Sequence, residues 1–177
     1  MEDYVNHLAK LNQSQYKPDI LILREKKLSE EEYGELLEQV VEKLSGREME
    51  LIPHMYVSAA EQLGIGKIHL PFSMWKEQNG IEYVKKMNVI GTSIHSVEEA
   101  IAAEQMGAAY ITAGHIFTTD CKPDLEPRGV EFLEKVCQSV KIPVYAIGGI
   151  HPGNLEEIRN SGAAGACMMS EYMKDSQ

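Results

Sequence analysis

Residues 88–113 read NVIGTSIHSVEEAIAAEQMGAAYITA. An apolar, β-rich run (88–92) is followed by Ser96 with Glu99, the spacing of a capping box that opens a helix. The helical stretch stops at Gly107, and a second β-rich run follows at 108–113. Two such runs joined by a helix make a βαβ unit, which implies parallel strands with a right-handed crossover.

The same rhythm extends in both directions. Further β-rich runs fall at 19–23, 49–52, 67–70, 143–147 and 164–169. They are too continuously apolar to alternate, as expected for strands buried on both faces. Ser29 and Glu32 form another capping box, ahead of an apolar stripe of Tyr33, Leu36, Leu37, Val40, Val41 and Leu44 closed by Gly46. Helical patterns also cover Phe132 to Val140, the stretch GNLEEIRNSG ending at Gly162, and YVNHLAKL near the start. Seven strands in one 1–177 domain suit either an open doubly wound sheet or a (β/α)8 barrel short of one strand.

Composition narrows the classes. A net charge of −10 argues against a broad nucleic-acid surface. Apolar runs stay far short of the ~20 residues that span a membrane, and MEDYVNHLAK lacks the apolar core of a secretory signal. Cys121, Cys137 and Cys167 form no C-x-x-C pair, which fits a reduced, cytoplasmic setting.

In parallel α/β folds, chemistry gathers at the C-terminal ends of strands. Those ends carry Arg24-Glu25-Lys26, His54, Ser93-Ile94-His95, His115, Gly148-Gly149 and Ser170. Glycines let backbone N–H groups approach an anion, and Ser170 at the next strand end can donate to it, so Gly148, Gly149 and Ser170 read as a phosphate cradle. The 114–128 connection is long for a βα loop and rich in polar groups, including Thr119, Asp120, Cys121 and Lys122.

Three motifs, Gly-x-Ser-x-His from Gly91, Gly-x-Ile-Phe-x-Thr-x-x-Lys from Gly114 and Ala-Ile-Gly-Gly-Ile from Ala146, resemble the thiamine phosphate synthase superfamily of (β/α)8 barrels. The likeness runs from about Asp19 to Ser170. It implies a TIM barrel lacking the family's first strand and part of its last helix; a homodimer is one way to cover such an edge. GHIFTTDCK and RGVEFL look closest to the thiazole tautomerase branch, whose implied catalytic residue, an acid–base histidine, maps onto His115.

The synthase branch joins a pyrimidine diphosphate to a thiazole phosphate and releases pyrophosphate with Mg²⁺. Its Gln-x-Arg-x-Lys motif keeps Arg24 and Lys26 but has Ile22 in place of glutamine. Its metal-holding aspartates fall at about His54-Met55 and Met74. Mg²⁺ wants carboxylate oxygens, which thioethers cannot replace. A proton shift needs only a histidine near neutral pH and an anchored phosphate.

The resulting expectation is a tautomerase acting on a carboxythiazole phosphate, with no metal and no cofactor. His115 would be catalytic, and Arg24, Lys26, Ser93, Thr119, Lys122, Gly148, Gly149 and Ser170 would hold substrate. Mg²⁺ would enter only with the alternative, a thiamine phosphate synthase; a non-catalytic thiazole- or thiamine-phosphate-binding protein is the remaining alternative.

Overall fold

A computed structural model describes residues 2–11, 17–46, 49–77, 82–120 and 123–173. Cys121 and Lys122 therefore lie outside the described residues. The elements run α1 (Glu2–Leu11), β1 (Ile20–Leu23), α2 (Glu30–Leu44), β2 (Glu50–Pro53), α3 (Val57–Gln62), β3 (Lys67–Pro71), α4 (Phe72–Glu77), β4 (Val89–Ile94), α5 (Val97–Gln105), β5 (Tyr110–Gly114), α6 (Gly129–Ser139), β6 (Val144–Ile147), a 3₁₀ turn (Pro152–Asn154), α7 (Leu155–Asn160), β7 (Gly165–Cys167) and α8 (Ser170–Met173). Each expected strand is present. The alternation of strand and helix follows the βα pattern in the sequence.

The chain divides into two compact units. One comprises Met1–His69 with Glu82–Val89, the other Leu70–Ile81 with Ile90–Gln177.

In the first unit, β1 and β2 pair in parallel, with Leu23 opposite Pro53. An isolated parallel bridge then joins His54 to His69. Helix α2 forms as its sequence dictates. Ser29 Oγ accepts from the Glu32 N–H while the Glu32 carboxylate accepts from the Ser29 N–H. Its stripe of Tyr33, Leu36, Leu37, Val40 and Leu44 is buried, and α1 packs against it with Val5, Leu8, Ala9 and Leu11 turned inward.

Tyr33 does more than fill space. Its hydroxyl donates to Leu23 O at 2.8 Å and accepts from His54 N at 2.9 Å, linking α2 to the ends of β1 and β2. Burial raises its pKa, so the phenol stays protonated and able to donate. Tyr33→Phe is expected to cost roughly 1–3 kcal/mol, because two buried backbone groups lose one shared partner. The shift in the urea midpoint at constant m-value measures it.

The larger sheet follows the order β3-β4-β5-β6-β7, with β4 through β7 all parallel. In the second unit Ile94, Ile111, Ala113, Val144 and Ala146 are buried in this sheet, and Leu133 and Val136 of α6 are buried with them. Ala100 and Ala103 give α5 a smooth buried face. The capping motif at its start closes only in part. Ser96 Oγ accepts from Glu99 N, but the Glu99 carboxylate takes the His95 N–H at 2.6 Å, one residue earlier than a capping box would.

Candidate functional site

Register sets the site in the second unit. Ile94 pairs with Ala113, Gly114 with Ile147, and Ile147 with Cys167. The segments that follow these strands therefore leave the sheet side by side. His95, His115, Gly148-Gly149 and Ser170 come from four consecutive parallel strands, at the edge where such folds place their ligands.

Gly148 and Gly149 have φ of +101° and +66°, a backbone region that disfavours side chains. Three successive carbonyls of this turn are already occupied. Ile147 O accepts from Ile116 N and Gly148 O from Phe117 N, each at 3.0 Å. Gly149 O accepts from Asn154 Nδ2, also at 3.0 Å. The amides of Gly148 and Gly149 take no part in these three bonds. Ser170 is exposed at the start of α8, after the neighbouring strand. The glycine turn and Ser170 thus follow neighbouring strands, β6 and β7.

Asn154 is a further contributor that the sequence reading does not include. It caps the 3₁₀ turn, with Oδ1 accepting from His151 N while its amide holds Gly149 O. The signal is legible: His-Pro-Gly-Asn places an amide side chain three residues after a possible cap.

The other residues of this unit divide. Thr112 Oγ1 donates to Ser93 Oγ at 2.9 Å, so Ser93 is fixed between β4 and β5. Thr119 is half-buried in the loop after β5. His115 is buried, and its Nε2 lies 3.2 Å from Leu125 O, ten residues along. A carbonyl only accepts, so Nε2 carries the hydrogen in this bond. Main-chain bonds from Arg128 N to His115 O and from Gly129 N to Ile116 O tie down the same loop. His115 thus fastens both ends of the 115–128 connection.

The first unit carries Arg24 and Lys26, both exposed, after β1. Since Leu23 is opposite Pro53, Arg24 and His54 follow in step, and His54 bridges to His69. The two imidazoles stack with centroids 5.7 Å apart and planes at 21°. Both are uncharged near neutral pH. Burial pushes His54 down to about 4, aided by Arg24 and then Lys26. Burial pushes His69 down to about 3, aided by His54 and then Arg24. His54 Nδ1 is buried without a hydrogen-bond partner.

Parallel strands alternating with helices define an α/β protein of the barrel class, here with five strands in one sheet and two in another among the described residues. Known proteins agree. The thiamine monophosphate synthase family matches over residues 3–172, and the chain belongs to that family.

The thiamine-phosphate synthase of Pyrococcus furiosus is 39% identical over 114 residues, covering 64% of this chain and 52% of that protein. The thiamine-phosphate synthase of Fusobacterium nucleatum is 32% identical over 156 residues, covering 88% of this chain and 76% of that protein. Among solved structures, a thiamine phosphate pyrophosphorylase from Pyrococcus furiosus superposes with a TM-score of 0.78 at 27% identity, covering 94% of this chain and 79% of that one. The chain thus spans about half the length of the first relative and about three quarters of the second.

These relatives overturn the tautomerase expectation. They are named synthases, which are transferases, not isomerases. The likeness of GHIFTTDCK to one branch, and a histidine where that branch has its acid–base group, do not separate the branches. The bond from His115 to Leu125 O gives this histidine a loop-fastening task that requires no proton transfer.

The family implies Mg²⁺, and the donors do not fit it. The positions that resemblance assigns to its aspartates hold His54, Met55 and Met74. Among the described residues no group of three or more His, Cys, Asp or Glu side chains could hold a metal. Imidazole nitrogen and thioether sulfur are poor partners for so hard a cation.

Proposed function

We propose that this protein is a thiamine-phosphate synthase, joining a pyrimidine carried on a diphosphate to a thiazole phosphate and releasing pyrophosphate. The observation that carries this reading is the preformed glycine turn beside Ser170, which suits a phosphate on one of the two substrates. The names of the relatives supply the reaction. The amides of Gly148 and Gly149 and the Ser170 hydroxyl hold the thiazole phosphate, fixing the ring for attack. Ser93 and Thr119 contact the acidic ligand in the same unit, with Lys122 assigned to it from sequence alone. Arg24 and Lys26 attract the diphosphate through their charge. His115 acts as a positioning residue for the loop. Among the described residues no helix is long and apolar enough to cross a membrane, and we assign the enzyme to the cytoplasm.

The test supplies both substrates to the purified chain and follows pyrophosphate release alongside thiamine phosphate. The expected result is release that requires both substrates. Ser170→Ala should raise KM for the thiazole phosphate about tenfold with a smaller change in kcat, since it removes binding made equally in ground and transition states. No product from both substrates at any Mg²⁺ concentration would end the assignment.

A further inference from the structure

The mismatch between the family's metal and this chain's donors has a direct electrostatic meaning. In the first unit, Arg24 follows β1, His54 follows β2 and His69 lies within β3, brought into line by the register of Leu23 with Pro53 and by the His54–His69 bridge. Arg24 and Lys26 are the charged side chains that act on the imidazoles, and Glu25 acts on Tyr4 and Tyr33. Glu25 accepts a hydrogen bond from Tyr4, whose pKa is pushed up to about 12 by burial first and by Glu25 second. The two imidazoles contribute no charge near neutral pH. Tyr33, in ring contact with Tyr56, also stays neutral near pH 7, because burial raises its pKa.

The side-chain charges acting on the two imidazoles, Arg24 and Lys26, are therefore both positive. A divalent ion brought to His54 would meet a guanidinium and an ammonium and no pair of carboxylates. A multivalent anion would meet attraction, which at a protein surface is several times stronger than in bulk water.

We infer that Arg24 and Lys26, set beside the stacked pair of His54 and His69, form an anion site that takes a diphosphate in its metal-free form, so that Mg²⁺ weakens its binding. The inference rests on the synthase reading for the choice of anion. Chelation explains the sign: Mg²⁺ neutralises part of the pyrophosphate charge, and the chain supplies no carboxylate pair to hold the ion in return. An enzyme that carries its metal on aspartates behaves the opposite way, binding the magnesium complex more tightly.

The experiment is calorimetric titration of the intact chain with inorganic pyrophosphate, once in EDTA and once with millimolar Mg²⁺. Binding is expected in EDTA, weaker by several-fold with Mg²⁺, and weaker by about tenfold in Arg24→Gln. Arg24 is exposed, so that variant should keep the wild-type melting temperature. A second measurement follows the electron paramagnetic resonance of Mn²⁺ added to the chain alone, where the free-ion signal should persist. Pyrophosphate binding that needs Mg²⁺ or tightens with it, or loss of the free Mn²⁺ signal, would overturn the inference. Turnover assays separate this from the assignment. Product formation without EDTA-stable pyrophosphate binding removes the anion site and leaves the synthase; binding without product does the reverse.

Discussion

Gly148→Ala is expected to destabilise the second unit by roughly 2–5 kcal/mol and to abolish phosphate binding, combining backbone strain with overpacking. The turn holds this residue at φ +101°, where an L side chain is strained even with room around it. Here there is no room. A Cβ would stand 2.3 Å from His115 Cβ and 2.7 Å from its Cα. His115 cannot withdraw, because Ile116 N and Phe117 N are bonded to the carbonyls on either side of the Gly148 nitrogen and Cα, and its ring is bonded to Leu125 O. The ends of β5 and β6 would have to part.

Gly91→Ala is the informative comparison. A Cβ there meets the Tyr110 ring at 2.0 Å, but that obstacle is a side chain and not backbone, and Gly91 has no positive φ. Chemical denaturation of both variants, with titration of inorganic phosphate, checks the ranking. Equal losses would show that the backbone bonds around Gly148 matter less than the geometry indicates.

The second large effect is acid lability of the first unit. His54 and His69 are 4% and 2% exposed and have folded pKa values of about 4 and about 3, against an ordinary 6.5. Because the folded values lie below the unfolded one, the unfolded chain binds protons first as the pH drops. The stability contributed by the neutral pair is complete above about 6.5 and is lost as the pH falls through the folded values. A tenfold change in proton affinity is worth about 1.4 kcal/mol, so His54 alone accounts for on the order of 3 kcal/mol. Urea midpoints between about pH 7 and 5, above most carboxylate titration, should fall steadily in the wild type and less steeply in His54→Gln. A slope unchanged by the substitution would remove the pair from this role.

Much of this architecture is legible in the sequence. The seven strands stand out because each is a short apolar run bounded by turn residues, and α2 because its stripe repeats over many residues between Ser29 and Gly46. The helices that escape a sequence reading, α3 and α4, span only six residues each. Such lengths give too few repeats for a period to register, and α7, equally short, is legible through the glycines that bound it.

Gly148, Gly149 and Ser170 are readable as strand-end positions because each follows a short apolar run. The reinforcement of the glycine turn by Asn154 is less so, since it depends on a main-chain carbonyl five residues away. The role of His115 is hidden for a related reason. Its partner is a carbonyl ten residues along an irregular loop, and no periodicity encodes that contact. The branch of the family is obscured because absent carboxylates bear on how a metal is held and not on which bond is made.

The three occupied carbonyls at Ile147, Gly148 and Gly149 also bear on the thermodynamics of capture. A loop that must first order itself around an anion gives up conformational entropy at the moment of binding. Here strand, loop and 3₁₀ turn have fixed the peptide planes during folding, so that loss is settled in advance. Phosphate capture at this turn should therefore be enthalpy-driven with little change in heat capacity.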